Sequence, residues 1–100
     1  MIDAMNRHPT AKELRALRIL TDHPGGLFGL ELVKHAGKDI SRGSVYFILD
    51  RLRQAGWVDS RPEAPPAGYG GKPRNIFTIN ADGQKVLAYE EAYPSAPVSA

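Results

Sequence analysis

The sequence predicts a mainly α, α+β fold with three N-terminal helices, a two-stranded β-hairpin and a C-terminal helix. Three observations carry this expectation. Apolar residues recur at helical spacing in three segments before Gly56. From Trp57 the pattern switches to period two. A Pro- and Gly-rich stretch then separates two strand-like runs. The chain of 100 residues suits one domain, and 42% apolar side chains suffice for one modest core.

The first helix opens at Thr10-Ala11-Lys12-Glu13, a capping box in which Thr10 accepts from the backbone of Glu13 and Glu13 reaches back. Leu14, Leu17, Ile19 and Leu20 form its apolar face, and His23-Pro24-Gly25-Gly26 ends it. A second helix is predicted from about Leu27 to Ala36, with Leu30 and Val33 inward and Gly37 as its stop. Lys38-Asp39-Ile40 then makes a tight connection in which Ile40 is an apolar plug. Ser41 is expected to cap the third helix. There Val45, Ile48, Leu49 and Leu52 fall at i, i+3, i+4 and i+7, a buried stripe that leaves Arg42, Ser44, Phe47, Asp50, Arg51 and Gln54 mostly on other faces.

Gly56 ends the third helix. Trp57 to Arg61 and Arg74 to Ile79 are the expected strands, and Pro62 to Pro73 is the flexible tip between them. Asn80 caps a last helix running to about Tyr93, with Val86, Leu87, Tyr89 and Tyr93 as its apolar side and Pro94 as its stop. The expected organisation is a flexible segment 1–9, a domain over 10–93 and a disordered tail 94–100. Two short helices joined by a tight turn, followed at once by a hairpin, form a winged helix-turn-helix.

Composition narrows the function classes. No apolar run approaches the ~18 residues of a membrane span, so a soluble protein is expected. The first ten residues lack the apolar centre of a signal peptide. Cysteine is absent, which excludes disulfides and thiolate zinc sites and fits a reducing cytoplasm. Net charge is only +2, but residues 42–74 hold six cations and three anions, leaving the rest of the chain at −1. Such a local excess suits a polyanionic partner; clusters of this size also occur in proteins without one.

Several motifs resemble the PadR family of bacterial regulators. Gly25-Gly26-Leu27-Phe28-Gly29-Leu30-Glu31-Leu32 resembles the family's second-helix start. The stretch from Ile40 to Leu52, ISRGSVYFILDRL, resembles its recognition-helix signature closely, with Phe47 where Pro is common. Gln54-Ala55-Gly56-Trp57-Val58 resembles the exit into the wing, with Trp57 where Leu is usual. Gly70-Gly71-Lys72-Pro73-Arg74 and Ile79-Asn80-Ala81-Asp82-Gly83 resemble the wing tip and the start of the last helix. Together these motifs fall within roughly residues 14–88. The resemblance implies a transcriptional regulator that binds duplex DNA.

A helix in the major groove reaches base edges from its N-terminal residues. The expected DNA-facing set is Ser41, Arg42, Gly43, Ser44, Tyr46, Phe47, Arg51, Lys72 and Arg74. Arg42 suits a phosphate or a guanine edge. Gly43 either lets the backbone approach DNA or marks a loose helix start. For Tyr46 the resemblance implies a hydroxyl on the sugar-phosphate backbone; the alternative is a half-buried packing tyrosine. Phe47 suits thymine methyls or a dimer surface. Arg51 and Arg53 are phosphate candidates or a solvated face. Lys72 and Arg74 suit the minor groove or phosphates, or are ordinary loop charges. Tyr69 is a candidate to order the tip. Trp57 belongs to the floor beneath the wing rather than to a ligand site.

Enzymatic readings fail on residue types. Gly71-Lys72 suggests a phosphate-binding loop, but that motif needs Gly where Pro66 stands and Ser or Thr where Pro73 stands. His8, His23 and His35 lack metal-ligand spacing, so no cofactor, metal or catalytic centre is expected. The function expected is sequence-specific DNA binding, repressing by promoter occlusion, with helix 41–55 in the major groove and wing 57–79 on adjacent backbone or minor groove. The expected location is the cytoplasm, of bacterial or phage type, at the nucleoid when bound. A homodimer is expected because one recognition helix reads only a few base pairs, with Val86, Tyr89 and Tyr93 as a candidate contact against the first helix. The rival reading is a protein-interaction adaptor that keeps the fold without binding DNA.

Overall fold

The computed structural model describes residues 8–63 and 74–93; Lys72, Tyr69, the rest of the wing tip and the tail lie outside the described residues. The first helix, α1 (Ala11–Thr21), begins as its sequence dictates. Thr10 Oγ1 accepts from Glu13 N–H at 3.1 Å, and Glu13 Oε1 accepts from Thr10 N–H at 2.9 Å. His8 and Pro9, assigned from sequence to the flexible N-terminal segment, are docked. Pro9 is buried and His8 Nδ1 lies 2.8 Å from Glu90 Oε2 on the last helix.

The second segment departs from expectation. Leu27–Phe28 form a short strand, β1, and α2 spans Gly29–Ala36. The helix turns Gly29, Leu32 and Ala36 towards the core, so Leu30, expected inward, is 46% exposed. Val33 packs at the margin of the core, and α2 ends before Gly37 as expected.

The third helix, α3, spans Val45–Gln54 rather than starting after Ser41. Residues 41–44 form a turn in which the Ser41 carbonyl accepts from Ser44 N–H at 3.2 Å and Val45 N–H at 3.0 Å. Ser41 does not cap the helix: its Oγ lies 2.9 Å from Ser44 Oγ, so the two hydroxyls satisfy each other. Gly43 inside this turn disfavours regular helix, which accounts for the delayed start. The stripe Val45, Ile48, Leu49 and Leu52 is buried as expected.

The hairpin consists of β2 (Val58–Glu63) and β3 (Arg74–Ile79), antiparallel, with Val58 opposite Ile79 and Glu63 opposite Arg74. β1 adds on the other side of β3, pairing Leu27 with Phe77 and Phe28 with Ile76, so the sheet has three strands in the order β1-β3-β2. Asn80 caps α4 (Ala81–Ala92), its side chain accepting from Gly83 N–H at 2.9 Å. Leu87 is buried and Val86 partly so, but Tyr89 and Tyr93 are exposed; Glu90 occupies the buried place beside His8.

One cluster joins these elements. Leu17 and Leu20 of α1, Ile40, the α3 stripe, Phe77 and a fully buried Trp57 form its centre. Trp57 is the floor beneath the wing. Among the described residues no helix is long and apolar enough to cross a membrane.

Candidate nucleic-acid interface

The outer end of α3 carries the residues singled out from sequence. Arg42, Ser41 and Gly43 are exposed on the turn before it, and Arg42 forms no hydrogen bond or ion pair among the described residues. Its guanidinium is available to a partner. Gly43 is not there to relieve crowding within the chain, since the nearest atom to a Cβ placed on it would be Ser41 Oγ at 3.9 Å. Phe47 is 66% exposed and borders a surface groove with Thr10 to Glu13 of α1.

Arg51 has a partner inside the fold. Its Nε donates to Glu13 Oε2 at 3.0 Å, and its guanidinium lies 5.7 Å from the centre of the Phe47 ring. Glu13 is 1% exposed, so the contact supplies a cation to a buried carboxylate that also closes the capping box. Arg53 is held by Asp50 at 2.7 Å within its own helix.

Tyr46 connects α3 to the base of the wing. It is 55% exposed, and its ring lies on Gly29: a Cβ there would fall 2.5 Å from Tyr46 Cε1 and 2.9 Å from the hydroxyl. Tyr46 therefore packs with one face while the rest of the side chain stays accessible. It lines a cleft of about 540 Å³ with Phe28, Gly29, Leu30, Glu31, Lys34, Arg74 and Asn75.

Topology explains the cleft. β1 stops at Phe28, opposite Ile76, and the chain turns into α2. The β3 edge at Asn75 and Arg74 thus continues past the end of β1, leaving a notch between α2, Tyr46 and the wing. Residues two apart on a strand share a face, so Arg74 is the diagonal neighbour of Phe28 across the sheet. Its guanidinium carbon lies 3.8 Å from the centre of the Phe28 ring, close for a cation over an aromatic face.

Phe28, Glu31, Lys34 and Asn75 were not anticipated. Lys34 follows Glu31 by three positions and Leu30 by four, one face of a helix, a signal readable once the helix is known to start at Gly29. Lys34 has no hydrogen bond or ion pair among the described residues. Lys72 is outside them, so Arg74 is the cation through which the described wing meets α3.

The sequence profile of the transcriptional regulator PadR-like family matches residues 16–89. The chain belongs to the PadR-like family. It is a family of transcriptional regulators rather than enzymes, as the absence of a catalytic motif led us to expect. No curated protein matches the sequence. Solved structures share the PadR-like fold. The chain is similar to a PadR family transcription regulator from Clostridium difficile at 16% identity and TM-score 0.67, covering 83% of this chain and 85% of that one. It is also similar to a PadR family transcriptional regulator from Eggerthella lenta at 26% identity and TM-score 0.63, over 80% and 74% of the two chains. The PcaV transcriptional regulator from Streptomyces coelicolor, solved with its natural ligand, is 22% identical with TM-score 0.64. That match covers 79% of this PadR-like chain and 50% of PcaV, so the chain spans about half that regulator's length.

Proposed function

We propose that this PadR-like protein binds duplex DNA sequence-specifically and represses transcription by occluding promoters. The 41–55 segment enters the major groove, and the wing over 57–79 lies on adjacent backbone or minor groove. One observation supports this reading above the others: Arg42, Lys34 and Arg74 carry no carboxylate partner among the described residues, and Tyr46 links the elements that hold them. An adaptor that binds no polyanion has no need to leave these cations unpaired. Ser41, Arg42, Gly43, Ser44, Tyr46 and Phe47 form the groove-facing end, and Lys72 and Arg74 supply the wing. Arg51, half-exposed beside Phe47, belongs to the same end and is tied to the fold through Glu13.

The protein works in this reading as a homodimer in the cytoplasm, with the exposed Tyr89 and Tyr93 at the contact. The test is selection of bound fragments from genomic DNA, followed by gel shifts on the enriched site. Arg42→Ala, Lys72→Ala and Arg74→Ala should each weaken binding, and contacts to phosphate should lower the salt slope by about one per cation removed. Enrichment of no sequence, or binding indifferent to all three substitutions, would sink the reading and favour the adaptor.

A further inference from the structure

We propose that the notch between α2, α3 and β3 is a clamp for a single backbone phosphate of duplex DNA, built from Lys34, Arg74 and Tyr46, with Phe28 positioning Arg74. The proposal rests on the DNA-binding reading and adds Lys34 and Phe28 to it, joining them to Tyr46 and Arg74 in one site.

The notch suits one anionic group with oxygen atoms on several sides. Lys34 brings three donors on a flexible stem, Arg74 a planar fork, and Tyr46 a hydroxyl anchored by its ring on Gly29. The Arg74 guanidinium carbon lies over the Phe28 ring, 3.8 Å from its centre. A cation stacked on a ring has its flat face occupied and its N–H edge free, which directs the donors in the plane of the fork. Phe28 thus restricts where Arg74 points without using any of its hydrogen bonds. It is a positioning residue.

Glu31 lines the same notch and opposes an anion. Its Oε1 accepts from Phe28 N–H at 2.9 Å, so the carboxylate caps the start of α2 itself. That bond occupies the Phe28 N–H alone, and the charge of the clamp comes from its two side-chain cations. Lys34 and Arg74 against Glu31 leave one net positive charge in the notch. Glu31 lowers the affinity of the clamp, and its charge, unlike its capping oxygen, is dispensable.

The experiment measures binding of a mixed-sequence 20-base-pair duplex by fluorescence anisotropy across a salt series, with thermal melting of every variant. Lys34→Met and Arg74→Met should each reduce the salt slope by about 0.9, with roughly five- to tenfold weaker binding near 0.1 M salt. Phe28→Leu should cost about threefold, the worth of one exposed cation–π contact, and Phe28→Tyr should restore wild-type binding. In the Arg74→Met background Phe28→Leu should cost nothing further, because the group it positions is gone. Glu31→Gln, whose amide oxygen still accepts from Phe28 N–H, should bind about three- to fivefold tighter at low salt. That gain cannot come from a damaged fold.

Unaltered binding in Lys34→Met and Arg74→Met, alongside weaker binding in Arg42→Ala, would keep the DNA reading and overturn the clamp. An equal loss from Phe28→Leu with and without Arg74 would overturn the positioning role. Wild-type protein that binds no duplex in a salt-dependent way would overturn both the clamp and the reading beneath it.

Discussion

Glu13 has a local task and a distant one. Its capping role was readable because Thr10 and Glu13 stand three apart at the head of an apolar run, and both reciprocal bonds are present. Its second oxygen meets Arg51, 38 residues on, and no spacing rule brings those two together. Arg51 is half-exposed, so solvent relieves part of the loss when it is removed. Arg51→Met should nevertheless destabilise the fold by about 1–3 kcal/mol, because it removes a hydrogen-bonded cation from a buried carboxylate. Urea denaturation tests this; a change under ~0.5 kcal/mol would reduce the pair to a surface contact of little weight. Tyr46 gives the complementary residue-scale case. Gly29→Ala places a methyl where the Tyr46 ring lies, and that half-exposed ring can swing away. Stability should change by less than about 1 kcal/mol, while duplex binding weakens as Tyr46 leaves the notch. Unchanged binding in gel shifts would show that Tyr46 does not need its place on Gly29.

The elements were legible wherever periodicity ran long enough to have a phase. The α3 stripe and the Asn80 cap lie where the residues put them, whereas β2 begins one residue after Trp57 and runs through Pro62 and Glu63, which the sequence assigned to the tip. The exception is Leu27–Phe28. Two apolar residues carry no period of their own, and ahead of Leu32 and Ala36 they look like the first turn of a helix. What makes them a strand is tertiary: the free edge of β3 offers them a ladder. Reading Leu27 as the first core position of a helix led to Leu30 being placed inward, and it hid the end of β1 that opens the notch. The start of α4 shows the opposite situation, a boundary read correctly but for an incomplete reason. Asn80 caps it, yet Gly83 is equally required. A Cβ at Gly83 would fall 2.1 Å from the Trp57 carbonyl oxygen, backbone that cannot rotate aside. Gly83→Ala should therefore lift α4 off the sheet and destabilise by about 1–3 kcal/mol despite alanine's better helix propensity. A melting temperature equal to or above wild type would contradict this packing.

At the scale of the whole molecule the question raised by the proposed dimer is what would space its two copies of α3. One α3 covers only part of a site, and paired half-sites recur about one helical turn, ~34 Å, apart. A contact that sets such spacing must sit on an element rigid relative to α3. α4 meets that condition. It is tied to α1 through Arg18 to Glu91 at 2.9 Å and to the segment before α1 through His8 to Glu90 at 2.8 Å, and α1 is tied to α3 through Glu13 and Arg51. The outer side of α4 presents Tyr89 and Tyr93, 55% and 66% exposed, with ring centres 5.0 Å apart. Two adjacent tyrosines give large apolar area at low entropic cost, with hydroxyls for a wet rim. Placing Glu at both positions should shift the proposed dimer to monomer in sedimentation equilibrium. Affinity for the selected site should fall by an order of magnitude or more, since each half-site must then be bound alone. Because both side chains project into solvent, the melting temperature of the double variant should stay near wild type, separating loss of assembly from loss of fold. A double variant that remains dimeric would move the interface elsewhere, and a wild-type protein monomeric with and without DNA would remove the dimer from the mechanism.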